Sequence, residues 1–533
     1  MPIKAPLRFH ILVFTALVLT LGSLHRRSIY ILDEAKNATC AREMYQANTL
    51  IVPTFNGELR TDKPPLHYYA MMLSYAVFGA TPFAARLGSG IMGLLTVLLL
   101  YQWVARRGNV QWAWWSALVL LSSLHFGAQM QLATPDPYLI FLYFATLALL
   151  YDAVQYSLRY RAYAAYACMG LACMAKGPVA AVLPGLTLLM WMLLSRGWSW
   201  AFIRALRLPE GAITVAAIAV PWYVAVHHAT HGAFTEGFFI KHNLSRYSEP
   251  MEGHGGFVGL VPLLLLVALL PVAGFVVQAF AKWWRDRKRD PLLALSGCAA
   301  LSVVVFFSFS GTILPSYVSP ALPFATVVVG RYLSISIRAG VLSGWPFLVP
   351  ALMGVALLAG GWIALSKDPN LHDMPWLVGV LLPLVAGAAA AYSCVRLKHR
   401  LAPAVRSRRA LYWALGGAYA TTLLFQWVAY PMADARNPVA LAKALTEEST
   451  LVAYKRFNPA FVWAQGSAIP VVHTPSELSS FLNTHPKALV ISTTKHMDDV
   501  PEELGLHVVF SCKDLFERPI TVICRKAEQE PMP

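Results

Sequence analysis

Apolar runs long enough to cross a bilayer recur along most of this chain, separated by short polar joints. About 13 of them stand out, near 9–24, 84–104, 111–128, 136–154, 162–175, 178–195, 210–227, 257–280, 291–309, 316–330, 341–365, 375–394 and 410–430. Most approach the roughly 20 residues that a hydrocarbon core requires, and 162–175 and 316–330 are the shortest. The first run has a basic start, but "LGSLHRRS" is a poor cleavage site, so it reads as a retained helix. After about residue 434 the pattern changes. Short β-rich runs alternate with "TPSELSSFL", which has the start signals of a capped helix. The predicted organisation is a mainly α, polytopic membrane domain over 1–430, a linker over 431–449 and a small α/β domain over 450–528. Residues 25–83 form the largest insertion between spans, with aromatic amphipathic segments suited to the interface.

Composition agrees with that pattern: 57% of residues are hydrophobic and 13% charged, with a mean hydropathy of +0.53. The net charge of +16 is not a nucleic-acid footprint, because its cations fall in alternate joints. Arg106 and Arg107, Arg159 and Arg161, Arg196, Arg204 and Arg207, "AKWWRDRKRD", Arg331 and Arg338, and "RLKHRLAPAVRSRR" share one side. With Lys4 and Arg8 they predict a cytoplasmic N-terminus. Residues 25–83, 228–256 and the C-terminal domain then lie on the far side. No Walker loop and no GxGxxG after a strand occur, so an ATP-driven pump is not indicated. Cys512 and Cys524 fall in two strand-like runs around a turn. An oxidising compartment permits a disulfide between them, and the sequence leaves open whether one forms.

The far-side ends of the spans carry the chemistry. The first loop holds Asp33, Glu34, Lys36, Arg42, Asp62, Lys63 and His67. Asp136 lies in "ATPDPY", Lys176 in "MAKGPV", Lys241, His242, Arg246 and His254 in "FFIKHNLSRYSEPMEGHGG", and Tyr317 in "SGTILPSY". Acids and cations from five loops on one face suit a reaction on a lipid-linked phosphate. Lys and Arg would hold phosphate by charge-assisted hydrogen bonds, and a carboxylate would orient an acceptor or steady charge on a sugar carbon. Each residue also has a plainer reading: Asp33 as a helix N-cap, Asp136 as an acid at a helix start and Lys176 as a cation at a helix end. A transporter of the lipid-linked sugar is the rival class, but its ionisable groups would sit near the midplane in repeated halves, and no repeat is visible.

Several motifs, in order, resemble one family: "DEAKNATCAREM", "IVPTFNGELRTDKPPLHYYAMMLSYAVFG", "PFAARLGSGIMGLL", "TPDPYLIFL", "MAKGPVAAVLP" and "FSFSGTILPSYVSPALP". They look like the lipid A aminoarabinose transferases, which belong with the protein O-mannosyltransferase-like, polyprenyl-phosphate-dependent glycosyltransferases of the GT-C fold. The resemblance covers most of residues 25–335. It implies a bacterial inner-membrane enzyme working at its periplasmic face, with undecaprenyl phosphate carrying 4-amino-4-deoxy-L-arabinose as donor and lipid A as acceptor. Transfer of another sugar to a different glycan or protein is the alternative. By the same resemblance Asp33 is the catalytic carboxylate and Asp136 a second acid at the pocket. Lys63 contacts the lipid phosphate, Lys36, Arg246 and Tyr317 lie on the phosphate side, and Lys176, also a substrate-side cation, is the lysine of a "KG" turn. Asp62 and His242 are implied as ligands of a divalent metal, zinc or similar. Two positions depart from the family: Lys36 stands where relatives usually have Arg, and Asp62 where they often have Glu.

Overall fold

The predicted spans become helices wherever the apolar period is uninterrupted. The computed structural model describes residues 5–245, 257–396, 401–447, 449–515 and 519–526. The first helices are α1 (Ala5–Leu21), α2 (Leu32–Gln46), α3 (Leu66–Phe78), α4 (Pro82–Arg107), α5 (Val110–Leu121), α6 (Leu124–Gln129), α7 (Asp136–Tyr156), α8 (Arg159–Lys176) and α9 (Val179–Trp191). Among the described residues, 8 helices are long and apolar enough to cross a membrane, or up to 9 if a bent pair is one span. α1 without its first residue, and α5, are apolar but shorter. The sequence reading counted more because it admitted runs inside more polar helices. Thus 162–175 lies in α8, which opens on Arg159 and Arg161, and 410–430 begins inside Pro403–Leu424, which carries Arg406, Arg408 and Arg409.

The run at 257–280 is not one straight helix. Leu260–Ala268 and the segment Leu270–Asp286 meet at 91°. Pro271 stands at the break, where its ring removes a backbone donor. Inside the bundle, α7, Pro291–Ser308 and Leu322–Ala339 are buried over most of their length. Leu348–Lys367, by contrast, exposes apolar side chains along most of its surface, as a lipid-facing helix should.

The C-terminal region forms a five-stranded sheet. Its strands are β3 (Leu451–Tyr454), β4 (Val471–Val472), β5 (Leu489–Thr493), β6 (Leu506–Lys513) and β7 (Ile520–Lys526), in the order β4-β3-β5-β7-β6. β3 runs parallel to β4 and β5, while β7 is antiparallel to β5 and β6. β3 and β5 are buried on both faces, which is why they read as continuous apolar runs. The helix expected at "TPSELSSFL" is Pro475–Thr484. Thr474 Oγ1 accepts from the Glu477 N–H at 3.3 Å, and Glu477 Oε2 accepts from the His473 N–H at 2.8 Å, closing a reciprocal cap.

β6 and β7 are the two strands expected around the last two cysteines, but no disulfide joins them. Cys512 stands opposite Thr521 and Cys524 opposite Val508, and both thiols are free. The register, shifted by an irregularity between Val508 and Phe510, separates the pair along the ladder.

The sheet region docks on the first loop. Arg42 donates to the Trp463 and Val462 carbonyls, both at 2.8 Å, from the middle of α2. Tyr30, just before α2, bonds Asp514. β1 (Thr54–Phe55) and β2 (Glu58–Leu59) form a small hairpin. Asn56 at its tip exchanges two hydrogen bonds with Ile469, at 2.9 and 2.7 Å. The first loop is thus held between the helical bundle and the C-terminal sheet.

Candidate active site

Two neighbouring acids at the start of α2 go opposite ways. The helix begins at Leu32 with Ile31 as its cap and no side-chain capping bond, so Asp33 is not the N-cap that the sequence allowed. It stands in the first turn, where the helix dipole favours an acid, exposed on the wall of a cavity. Glu34 is fully buried with Arg86 of α4. Arg86 reaches the two Glu34 carboxylate oxygens at 2.7 and 2.8 Å. Its remaining N–H groups go to the Leu24, Arg27 and Ser28 carbonyls at 3.0, 2.8 and 2.6 Å. The Ala133 N–H donates to Glu34 at 2.9 Å. Burial works against ionisation of Glu34, but Arg86, Arg27 and this N–H hold its carboxyl below the usual range. This clamp ties the α1–α2 connection, α2 and α4 together and so sets where Asp33 points.

The second wall comes from the hairpin. Asn56 and Gly57 have φ of 56° and 79°, the left-handed pair that a tight Asn-Gly hairpin turn needs. Glu43 of α2 accepts from Thr54 Oγ1 and the Asn56 N–H, each at 2.7 Å. The strand leaving the turn delivers Arg60, Asp62 and Lys63. Arg60 is buried and its Nε lies 3.3 Å from Asp62; His242 Nε2 lies 2.9 Å from the other Asp62 oxygen. Burial opposes the Asp62 charge, yet the His242 hydrogen bond, the Arg60 guanidinium and Lys63 hold its carboxyl far below the usual carboxylate range.

A third wall joins the ends of two helices. Asp136, the first residue of α7, pairs with Lys176, the last of α8. The Lys176 ammonium lies 5.5 Å from the centre of the Tyr317 ring. The next residue, Gly177, has φ 78°, and a Cβ there would meet the Phe238 ring at 2.5 Å. Glycine is thus required twice over in "MAKGPV", for the turn and for the packing.

These walls enclose a cavity of about 370 Å³. It brings together Asp33, Asp62, Lys63, Asp136, Lys176, His242 and Tyr317 from separate loops, and Val179, Val182, Phe306 and Leu314 make its apolar side. One polar side and one apolar side suit an amphiphile with a charged head. Two expectations fall elsewhere. Lys36 lines a separate hollow with Lys455, Asn458 and Asp514 at the seam with the C-terminal sheet, because its side of α2 meets that sheet. Arg246, like His254, lies outside the described residues. Among the described residues, no group of three or more His, Cys, Asp and Glu gathers as a metal cage. Sequence reasoning missed Asn37, Ser310 and Ser316 on the cavity wall, and the Glu34–Arg86 clamp behind it. Asn37 stands one helical turn after Asp33, a spacing that would have suggested a shared face.

Residues 62–224 match the model of the dolichyl-phosphate-mannose-protein mannosyltransferases. Undecaprenyl phosphate-alpha-4-amino-4-deoxy-L-arabinose arabinosyl transferase 2 of Pseudomonas fluorescens is 30% identical over 378 residues, 69% of this chain and 67% of the relative. The chain belongs to this family of aminoarabinose transferases. The corresponding arabinosyl transferase of Pseudomonas aeruginosa PAO1 is 29% identical over 427 residues, 78% of this chain and 73% of the relative. The fold is shared with ArnT from Cupriavidus metallidurans, whose crystal structure holds undecaprenyl phosphate. The TM-score is 0.78 at 23% identity, over 98% of this chain and 99% of that one. The archaeal oligosaccharyltransferase AglB from Archaeoglobus fulgidus gives a TM-score of 0.51 at 12% identity, over 93% of this chain and 70% of AglB. This aminoarabinose transferase family member is therefore a multi-span inner-membrane glycosyltransferase with the GT-C fold.

Proposed function

We propose that this protein moves 4-amino-4-deoxy-L-arabinose from undecaprenyl phosphate to a phosphate of lipid A, at the periplasmic face, with its N-terminus in the cytoplasm. The observation that carries this reading is the meeting of three acids and two lysines from three loops in one cavity with an apolar side. The prenyl chain lies against the apolar side and the donor phosphate against Lys63, with Lys176 and Tyr317 beside it. An acceptor phosphate oxygen attacks the anomeric carbon, the bond from that carbon to the donor phosphate oxygen breaks, and the electron pair leaves with the lipid phosphate. The acceptor is already an anion, so no proton need be removed. Asp33 orients the sugar and offsets positive charge growing on the anomeric carbon, while the lysines neutralise the leaving phosphate. Asp136 holds the Lys176 ammonium in place. Arg246 is assigned to the phosphate by resemblance alone.

Asp62 and His242 are the pair that would hold a divalent ion such as zinc, since a carboxylate oxygen and an imidazole nitrogen already face each other there. Such an ion would supply positive charge beside the phosphate. Without it, Arg60 and His242 fix Asp62 as part of the wall behind Lys63.

Mass spectrometry of lipid A from a deletion strain tests the reading. An aminoarabinose-sized addition on phosphate is expected with the wild-type gene and not with Asp33→Asn. Unchanged lipid A in both would remove the acceptor from the proposal.

A further inference from the structure

The far end of α7 borders a second recess, about 720 Å³ in volume, for which the transfer reaction has no use. α7 starts at Asp136 in the cavity and ends at Tyr156 beside this recess. A helix of 21 residues rises about 30 Å, roughly the thickness of the hydrocarbon core. The two hollows therefore open at opposite faces of the membrane.

Four cations, Arg107, Lys282, Arg289 and Arg331, line the recess against two carboxylates, Asp286 and Asp290. Among the described residues, three of the four cations are paired, Arg107 through two nitrogens with Asp152 outside the recess, and the fourth is not. Lys282 lies 3.0 Å from Asp286 on a partly exposed helix turn, and Arg331 only comes within 3.6 Å of Asp290. Arg107 is shared with Asp152 at 2.8 Å and lies 3.9 Å over the Tyr156 ring. Arg289 is exposed and has no side-chain partner among the described residues. In the wall, Gln155 Nε2 is buried without a hydrogen-bond partner among them. A buried amide donor without a partner, beside the unpaired Arg289 guanidinium, leaves the recess short of an acceptor. The surroundings are those of a membrane border: Trp284 and Tyr156 are exposed, as is the apolar Val277 one helix turn or more into the bilayer side.

We propose that this recess binds the phosphodiester headgroup of an anionic phospholipid from the leaflet opposite the active cavity. Basic pockets between membrane helices recruit such headgroups through charge at the surface, and the acyl chains cover the apolar flank below. Soluble phosphate shares the headgroup's chemistry but has nothing to place against that flank.

Native mass spectrometry of the full-length protein in a neutral detergent tests this, with dioleoyl phosphatidylglycerol against dioleoyl phosphatidylcholine as probes. Wild type is expected to retain phosphatidylglycerol selectively. The variant Lys282→Gln with Arg289→Gln should lose about thirtyfold in that preference, at about one surface cation's worth of attraction per residue. A matched variant, Arg285→Gln with Lys288→Gln, removes equal charge from the same segment outside the recess and should keep the preference. Equal losses in both variants would reduce the effect to diffuse surface charge and overturn the proposal, as would no loss in either. Displacement of phosphatidylglycerol by millimolar inorganic phosphate would overturn the lipid as the ligand. Aminoarabinose transfer in detergent serves as the folding control and should be unaffected in both variants.

Discussion

Asp33 and Glu34 are adjacent in sequence, yet they belong to two regions built on different physics. Behind α2, Glu34 and Arg86 are buried together, and every donor of the guanidinium reaches a carboxylate or carbonyl oxygen. In front of α2, Asp33 faces an open cavity and makes no hydrogen bond or ion pair among the described residues. A buried charge is tolerable when its neighbours satisfy it completely, and it then has nothing left for a substrate. A charge kept partly hydrated at a cavity wall retains that capacity. The clamp fixes where Asp33 stands, and the cavity leaves its carboxylate available for the role proposed for it.

The largest expected effect separates the two regions by activity. Asp33→Asn should lower aminoarabinose transfer by about a hundredfold or more and leave the melting temperature unchanged. Glu34→Gln should do the reverse in kind: breaking one side of a buried pair costs about 3–5 kcal/mol, to be read as a large drop in thermal stability in detergent. Next, Lys63→Met and Lys176→Met should each raise KM for the undecaprenyl-phosphate donor by about tenfold, the loss of one charge-assisted contact. Lys176→Met also leaves Asp136 unpaired, so its stability should fall slightly.

A smaller effect concerns pH. The Asp62 carboxyl is held below its ordinary value of 3.8, so its ion pairs stabilise the fold fully above about pH 4. That contribution is lost as pH falls through the folded-state value. The melting-temperature gap between wild type and Asp62→Asn should narrow as pH falls below about 4. The smallest effect is none: with Cys512 and Cys524 free, reducing agent should leave the melting temperature where it was.

Much of the cavity was legible in the sequence because its residues sit at helix ends. The apolar period marks those ends, and Asp136, Lys176 and Tyr317 stand beside them in short joints. Lys36 was not legible. It follows Asp33 by three residues on α2, and only the C-terminal sheet, more than 400 residues away along the chain, determines that it meets a different hollow. The Glu34–Arg86 clamp spans 52 residues and leaves no local period. The cysteines illustrate the same limit in a strand pair. Both strands were readable from alternation and turn residues, but the register that keeps the thiols apart depends on a local irregularity in the ladder.

The most direct test of the central claim is the turnover of purified Asp33→Asn protein in detergent, with its melting temperature measured on the same sample. Transfer reduced by two orders of magnitude or more at an unchanged melting temperature is the expected result. Wild-type turnover from a normally folded variant would contradict the assignment of the cavity's chemistry to Asp33.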